Sequence, residues 1–349
     1  YHPDEVERQI SINTSLLFCD WKGFKVNLLD TPGYTDFTGE VKSALRVADT
    51  AAIFLKAVEG AEVGTEIVWN YTKELKNAAF FVVNKIDNEN SNIDAVIATA
   101  KERFTHDIAP LQFPVQQGAG FESIVDVLRM KVLKFTRDGK GKYTEADIPA
   151  DLKTKSTELR EQLIEQVAET DEKLLDKFFN NGTLTDQELK QGLKNGIRER
   201  KIFPLLCTAG GHGIGVSSLL DFVAEYCPNP VEVEPAVGEV PNAQNGDHKP
   251  ISEKCDPNGP PTLFVFKTVS EPHVGELSFF RVYSGTVAPG MDLVNEANNK
   301  TERLAQLFLM SGKERKEIGK IFAGDLGAVV KLKDTHTNNT LSSKSFPVI

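Results

Sequence analysis

The apolar run Ala78-Ala-Phe-Phe-Val-Val83 leads directly into Asn84-Lys85-Ile86-Asp87, and no other stretch constrains the fold as much. Six consecutive apolar residues bounded by polar ones suit a strand covered on both faces. Thr50-Ala-Ala-Ile-Phe-Leu-Lys-Ala-Val58 and Lys201-Ile-Phe-Pro-Leu-Leu206 read the same way. Helical patterns lie between these runs. Residues 36–47 place Phe37, Val41, Leu45 and Ala48 at i, i+4, i+8 and i+11, residues 65–76 form a second helix, and Ile93, Val96, Ile97 and Phe104 mark a third. Strand alternating with helix predicts an α/β, doubly wound, mostly parallel sheet. Such sheets bind ligands at the carboxyl ends of their strands, where Asn84 to Asp87 stand.

The residue types at those ends suit a guanine nucleotide. The Asp87 carboxylate can accept from the N1–H and the exocyclic amine of guanine, a pair of donors that adenine lacks. Asn84 can bridge base and loop, and the Lys85 stem can cover the face of the base. Cys207-Thr208-Ala209 ends the third strand, and a backbone N–H near Ala209 can donate to guanine O6. A further strand, Phe24-Lys-Val-Asn-Leu-Leu-Asp30, ends in Asp30-Thr31-Pro32-Gly33-Tyr34. Asp30 can hold a magnesium ion through water, and Gly33 can bring its backbone N–H against a terminal phosphate. In P-loop nucleoside triphosphatases this is the second acidic motif and the start of a mobile switch. Three motifs at strand ends in this order predict binding of GTP and GDP with Mg2+.

The loop that cradles phosphates in that class, Gly-x-x-x-x-Gly-Lys-[Ser/Thr], does not occur in the sequence. Gly118-Ala-Gly120 and Gly210-Gly-His-Gly213 are glycine-rich, but no Lys-[Ser/Thr] follows either. For Gly210–Gly213 a flexible loop after the base-reading residues is preferred over a phosphate cradle. The expectation is that an upstream segment supplies the phosphate loop in the parent protein, and that the chain as given has negligible nucleotide affinity without it.

Composition narrows the partners. The net charge is −10, and residues 260–349 carry 11 basic and 9 acidic side chains, so the acidity lies in residues 1–259. A protein that coats nucleic acid broadly is basic, so RNA contact would be confined to local patches and DNA is not an expected partner. On 313–320, Lys313, Arg315, Lys316 and Lys320 alternate with Glu314 and Glu317, the pattern of a solvated face more than of an RNA contact. No run of 18 apolar residues exists, which argues against a membrane partner. The four cysteines (Cys19, Cys207, Cys227 and Cys255) form no Cys-x-x-Cys pair, and the six histidines lack metal-ligand spacing. They read as reduced thiols of a cytoplasmic protein with no zinc site.

The spacing from Asp87 to Thr208 is too long for one helical crossover. The predicted organisation is therefore a GTP-binding domain over 1–105 and 201–230, incomplete at its start, with an inserted α/β subdomain over 106–200. A linker over 231–261 and a small closed β-barrel over 262–349 follow. Residues 1–8 read as mobile and 16–29 as a hairpin turned at Trp21-Lys22-Gly23. Within the insertion a strand-like stretch covers 108–117, a short helix 121–130, and longer helices 150–168 and 171–181. Thr185-Asp-Gln-Glu188 is a capping box opening a helix that stops near Gly196. Residues 216–227 form a helix halted by Pro228. The linker is Pro- and Asn/Gly-rich without a period, and the runs after it, broken by Gly and Pro, suit a barrel.

Together these residues resemble elongation factor G and its paralogues. Beyond the nucleotide motifs, the resemblance rests on Phe121-Glu-Ser-Ile-Val-Asp-Val-Leu-Arg-Met-Lys131, on Leu219-Leu-Asp-Phe-Val-Ala-Glu-Tyr-Cys-Pro-Asn-Pro230 and on Val274-Gly-Glu-Leu-Ser-Phe-Phe-Arg-Val-Tyr-Ser-Gly285. It covers essentially the whole chain and implies a translation factor that acts on the ribosome, on its rRNA and ribosomal proteins, in translocation. The family's third to fifth domains do not occur here, so the chain alone is not expected to translocate. Three positions depart from the family pattern. Arg8-Gln9-Ile10-Ser11 stands where Arg-Gly-Ile-Thr is usual, and Ser11 keeps a hydroxyl for magnesium, with a plain strand-edge role as the alternative. Tyr34 replaces the usual His that positions the attacking water, as in paralogues with Tyr after Asp-x-x-Gly. A tyrosine hydroxyl titrates near 10 and is a poor base at neutral pH, so slow hydrolysis is expected. Neutral variation, with a nearby loop holding the water, is the alternative. The other functions left open are a GTP-dependent ribosome-binding module with little or no hydrolysis and a ribosome-protection or recycling GTPase.

Overall fold

A computed structural model describes residues 3–241, 248–271 and 275–349. Val274 and six residues of the expected linker fall outside them. Two compact units emerge: residues 1–20, 25–48 and 229–349 form one, and residues 21–24 and 49–228 the other.

The chain opens with α1 (Pro3–Arg8), strands β1 (Ser15–Trp21) and β2 (Phe24–Asp30), and α2 (Thr38–Arg46). The stretch 1–8 expected to be mobile thus contains a helix. Its end is built by the backbone: Gln9 takes φ 55°, and the Ile10 N–H reaches back to the Glu5 carbonyl at 3.3 Å. This is a left-handed helix cap of the Schellman type, a place where glycine is the usual residue. β1 and β2 pair in their own two-stranded sheet. The turn between them has positive φ at both Lys22 and Gly23, which suits the twist of a tight hairpin.

In the second unit, β3 (Thr50–Lys56), α3 (Val63–Glu74), β4 (Ala78–Asn84), α4 (Ile93–Arg103) and β5 (Ile108–Pro110) alternate as the sequence predicts. Next come β6 (Gln112–Pro114), β7 (Ser123–Asp126), β8 (Lys131–Phe135) and β9 (Tyr143–Ala146), then α5 (Lys153–Ala168), α6 (Glu172–Asn181) and α7 (Asp186–Arg198). β10 (Phe203–Cys207) and α8 (Val216–Tyr226) complete the unit. The parallel sheet has the order β3-β4-β10-β5, and β6 to β9 form a separate antiparallel sheet. Every residue from Ala78 to Val83 is buried, as a strand covered on both faces requires. The sheet and α5, α7 and α8 share one core that includes Phe80, Val82, Leu163, Leu193, Leu206 and Phe222.

Two readings of this unit are corrected. The stretch 121–130, expected as a helix, holds β7 and a turn; the β-branched pair Ile124-Val125 is buried in the sheet with Leu133. α7 opens on the predicted capping box, with Thr185 accepting from the Glu188 N–H, but it continues past Gly196 to Arg198. Gly196 gives close packing: a Cβ there would lie 3.1 Å from the Ile202 side chain.

The C-terminal part comprises β11 (Ala236–Pro241), β12 (His248–Glu253), β13 (Thr262–Glu271), β14 (Gly275–Ser284), β15 (Thr286–Val287), β16 (Asp292–Asn295), β17 (Lys300–Arg303), β18 (Leu307–Ser311), β19 (Glu314–Ile318), β20 (Ile321–Phe322), β21 (Leu326–Val330) and β22 (Thr340–Ser342). β11 and β12 pair antiparallel inside the stretch expected to be an aperiodic linker. Eight strands follow in the antiparallel order β17-β16-β22-β13-β14-β21-β18-β19. Their inward residues, among them Leu263, Val265, Phe280, Leu293, Leu307 and Leu341, meet in one apolar cluster, the packing of a small barrel-like domain. The charged residues of 313–320 lie on and beside the end strand β19, where exposed charges discourage edge-to-edge pairing.

Candidate nucleotide site

Parallel pairing of β4 with β10 sets Val83 opposite Cys207 and so brings Asn84 beside Thr208. The Asn84 Oδ1 accepts from the Thr208 hydroxyl at 3.1 Å and from the Gly210 N–H at 3.0 Å. Both expected base-reading segments are therefore fastened to one amide. Thr208 is buried, and its N–H donates to the Val83 carbonyl at 2.8 Å. Lys85 adopts φ 61° and is exposed, turning the chain sharply out of the strand. The Asp87 carboxylate lies 3.3 Å from the Nε2 of His212.

Ala209 differs from the sequence expectation in one respect. Its own N–H donates to the Ile214 carbonyl at 2.9 Å and closes the loop. Gly210–His212 form a 3-10 turn within that closure. Of the glycines there, Gly213 serves tight packing, while Gly211 is open on its Cα side. Gly213 has φ 72°, and a Cβ on it would lie 2.8 Å from the backbone of Gly139. The stretch, expected as a flexible loop, is a loop closed by hydrogen bonds between Ala209 and Ile214.

Asp30, Thr31, Pro32, Gly33, Tyr34 and Ser11 belong to the other unit. Asp30 ends β2; desolvation and, next, the negative charge of Glu5 push its carboxyl up from the usual range. A cation beside Asp30 would reverse that shift. Among the described residues no group of three or more His, Cys, Asp and Glu is placed to hold a metal. A magnesium ion would instead take one hydroxyl, phosphate oxygens and waters, one of them held by a carboxylate, a donor set that Ser11 and, through water, Asp30 fit. Pro32 is buried, Gly33 is open on its Cα side, and Tyr34 is 58% exposed. The Tyr34 carbonyl accepts the Phe37 N–H at 3.1 Å in the 3-10 turn that leads to α2.

Several polar groups escaped the sequence reading. Asp221, 4% exposed, gathers the Trp21 indole N–H at 2.9 Å, Lys22 at 2.6 Å, Arg129 at 3.1 Å and the Tyr143 hydroxyl at 2.9 Å. Gln112 Oε1 accepts from the Cys207 N–H at 3.2 Å, tying β6 to the end of β10. Lys267, Glu40 and Thr14 form another network. The signal for Lys267 was present: a lysine in the middle of an apolar strand run.

A parallel sheet that presents Asn-Lys-x-Asp and Thr-Ala loops on adjacent strand ends, followed by an antiparallel β domain, defines the P-loop GTPase-like fold class. Residues 1–229 match the family described as the elongation factor Tu GTP binding domain, and residues 260–344 match elongation factor G domain 2. The chain belongs to the family of the elongation factor Tu GTP-binding domain. It is also similar to a protein of known crystal structure from Thermus thermophilus, with a TM-score of 0.85 and 28% identity over 99% of this chain. The match spans 48% of that chain, about half its length. No helix among the described residues is long and apolar enough to cross a membrane.

Proposed function

We propose that the chain carries the guanine-reading and switch elements of an elongation factor G-like translational GTPase, of the type with Tyr after Asp-x-x-Gly. The observation that carries this is Asn84 Oδ1 holding Thr208 and Gly210 together beside Asp87. The amide that fixes both loops also fixes the spacing between a carboxylate able to accept from guanine and the backbone donors of the Thr208 loop. Asp87 accepts from the base, the exposed Lys85 stem covers it, and a backbone donor after Thr208 faces O6. With Ala209 closed onto Ile214, that donor is freed by a shift of the loop or lies further along the 3-10 turn.

Ser11 directly and Asp30 through water would hold Mg2+, which would supply neutralisation of phosphate charge, and Gly33 would approach the terminal phosphate. Tyr34 stands exposed at the start of its turn and orients the attacking water less well than an imidazole. The ribosome is the partner, translocation the step and the cytoplasm the setting, as the family likeness supports.

Ligand-observed nuclear magnetic resonance tests the base reading. Without a phosphate loop in the sequence, the chain binds GDP and GTP no better than the millimolar range, about −4 kcal/mol, but prefers them over ADP and ATP. Equal signals for adenine and guanine nucleotides refute the assignment. Hydrolysis is tested in the full-length protein: Tyr34→His raises ribosome-stimulated turnover by about 10²-fold or more, the size of a water-orienting contribution. Equal rates remove Tyr34 from the account and leave its exchange neutral.

A further inference from the structure

Lys267 stands in β13, where its neighbours are apolar. Up to Phe266 the strand alternates: Leu263 and Val265 face the barrel interior, while Phe264 and Phe266 join a second cluster with Leu16 and Val47. Strict alternation would point Lys267 into the interior with Val265 and bury its ammonium in hydrocarbon. A register shift prevents this: Val265 lies opposite Phe280, but Lys267 lies opposite Phe279. Directly opposed residues share a face, and Phe279 packs on the second cluster. The extra residue is a bulge, a device that re-aims a side chain.

Lys267 is 9% exposed, and its re-aimed ammonium has two partners, Glu40 Oε2 at 2.7 Å and the Thr14 carbonyl at 3.1 Å. Glu40 Oε2 also accepts the Thr14 N–H at 2.7 Å, and the Thr14 hydroxyl donates to the Glu40 carbonyl at 3.2 Å. At the same bulge the Phe266 carbonyl accepts from the Ser43 hydroxyl of α2. Two residues of β14 grip the end of that helix: Arg281 donates to the Val47 carbonyl at 2.7 Å and the Tyr283 hydroxyl to the Arg46 carbonyl at 3.1 Å. Just before Thr14, the N–H groups of Ile12 and Asn13 end on Glu5 Oε1 at 2.8 and 2.9 Å. The segment after Ser11 is thus fixed from both sides, and Lys267 joins it to the helix after Tyr34.

We propose that Lys267 is a positioning residue: from the β domain it clamps the segment following Ser11 to helix α2, so that the two segments flanking the magnesium and phosphate residues keep one geometry. The assignment of those segments to a nucleotide rests on the function proposed above; the clamp itself does not.

Amide hydrogen exchange and nucleotide titration on Lys267→Met, Lys267→Arg and Glu40→Gln test it. Lys267→Met speeds exchange at Thr14 and along 38–47 by about tenfold or more, as a local opening does, while β21 amides of the same unit keep their rates. Lys267→Arg restores most of the protection, and guanine-nucleotide affinity falls in the Met variant and in Glu40→Gln but not in the Arg variant. Unchanged exchange at Thr14 and α2 overturns the clamp. So does an equal loss at β21 that Arg fails to rescue, because that is general loosening. Should Lys267→Met fail to fold, Glu40→Gln keeps the shape and still speeds exchange of Thr14; an unchanged rate overturns the proposal. Faster exchange with unaltered affinity overturns the positioning role. If the parent chain shows no guanine-nucleotide affinity, the function above falls, and the exchange pattern alone decides the clamp.

Discussion

Replacing Gln9 by glycine tests how the first segment of the chain is held. Gln9 caps α1 at φ 55°, with Ile10 bonded back to Glu5. A residue with a Cβ in the left-handed region costs about 1–2 kcal/mol, and glycine removes that cost. Glycine also gives the unfolded chain more freedom, an opposing effect of roughly 0.4–1 kcal/mol. The difference leaves Gln9→Gly more stable by about 0.5–1 kcal/mol, and Gln9→Ala, which keeps the Cβ, close to the parent. At 1.4 kcal/mol per factor of ten, exchange of the Ile10 amide slows by roughly two- to fivefold in the glycine variant. Site-resolved exchange on the three proteins, with urea unfolding as the global control, measures it. A glycine variant that exchanges as fast as the alanine variant, or faster, refutes the left-handed cap.

Two more outcomes follow from the geometry. Gly215 has φ 79°, and a Cβ on it would collide with the Cys207 carbonyl at the end of β10. Gly215→Ala therefore destabilises the second unit by at least roughly 3 kcal/mol from strain and overlap, read as a lower urea midpoint. Burial raises the carboxyl of Glu40, but the bonds from Lys267 and Thr14 outweigh it and hold the group below its ordinary value of 4.5. A depressed folded value contributes stability above the ordinary value and loses it as pH falls through the depressed one. The stability gap between the parent and Glu40→Gln is thus full well above the ordinary carboxyl value and closes in acid as the pH falls through the depressed one; a gap independent of pH contradicts it.

Much of the second unit was legible because its signals are local. Ala78–Val83 needs no partner to read as a doubly covered strand, and Thr185 to Glu188 announces α7 from four residues. The Ile124-Val125 pair was misread because three apolar residues in four also fit one turn of helix; its β-branched side chains were the better guide. β11 and β12 escaped because most of their described side chains, from 236 to 240 and from 249 to 252, are half-buried or exposed and Gly238 and Pro250 interrupt the pattern. Pairing between edges leaves little trace in hydropathy. At the candidate site, Asp30, Asn84, Asp87 and Thr208 stand at strand ends as expected. The engaged Ala209 N–H and the roles of Gln9 and Glu40 were not legible, and Lys267 showed only as a lysine in an apolar run, without its partners. Gln9 depends on a backbone angle, Lys267 on a bulge, Glu40 on partners more than 20 residues away and Ala209 on closure of its own loop onto Ile214, and residue type does not encode these.

The central claim is that Asp87 reads the base, and Asp87→Asn examines it most directly. An amide offers an N–H where the carboxylate accepts, so the variant suits xanthine, whose carbonyl replaces the exocyclic amine of guanine. Titrating GDP and xanthosine diphosphate against both proteins gives the answer. The account predicts that GDP binding is lost, by about 10²-fold or more for two charge-assisted bonds, and that xanthosine diphosphate binds the variant about as well as GDP binds the parent. GDP binding that survives the substitution unchanged would contradict it.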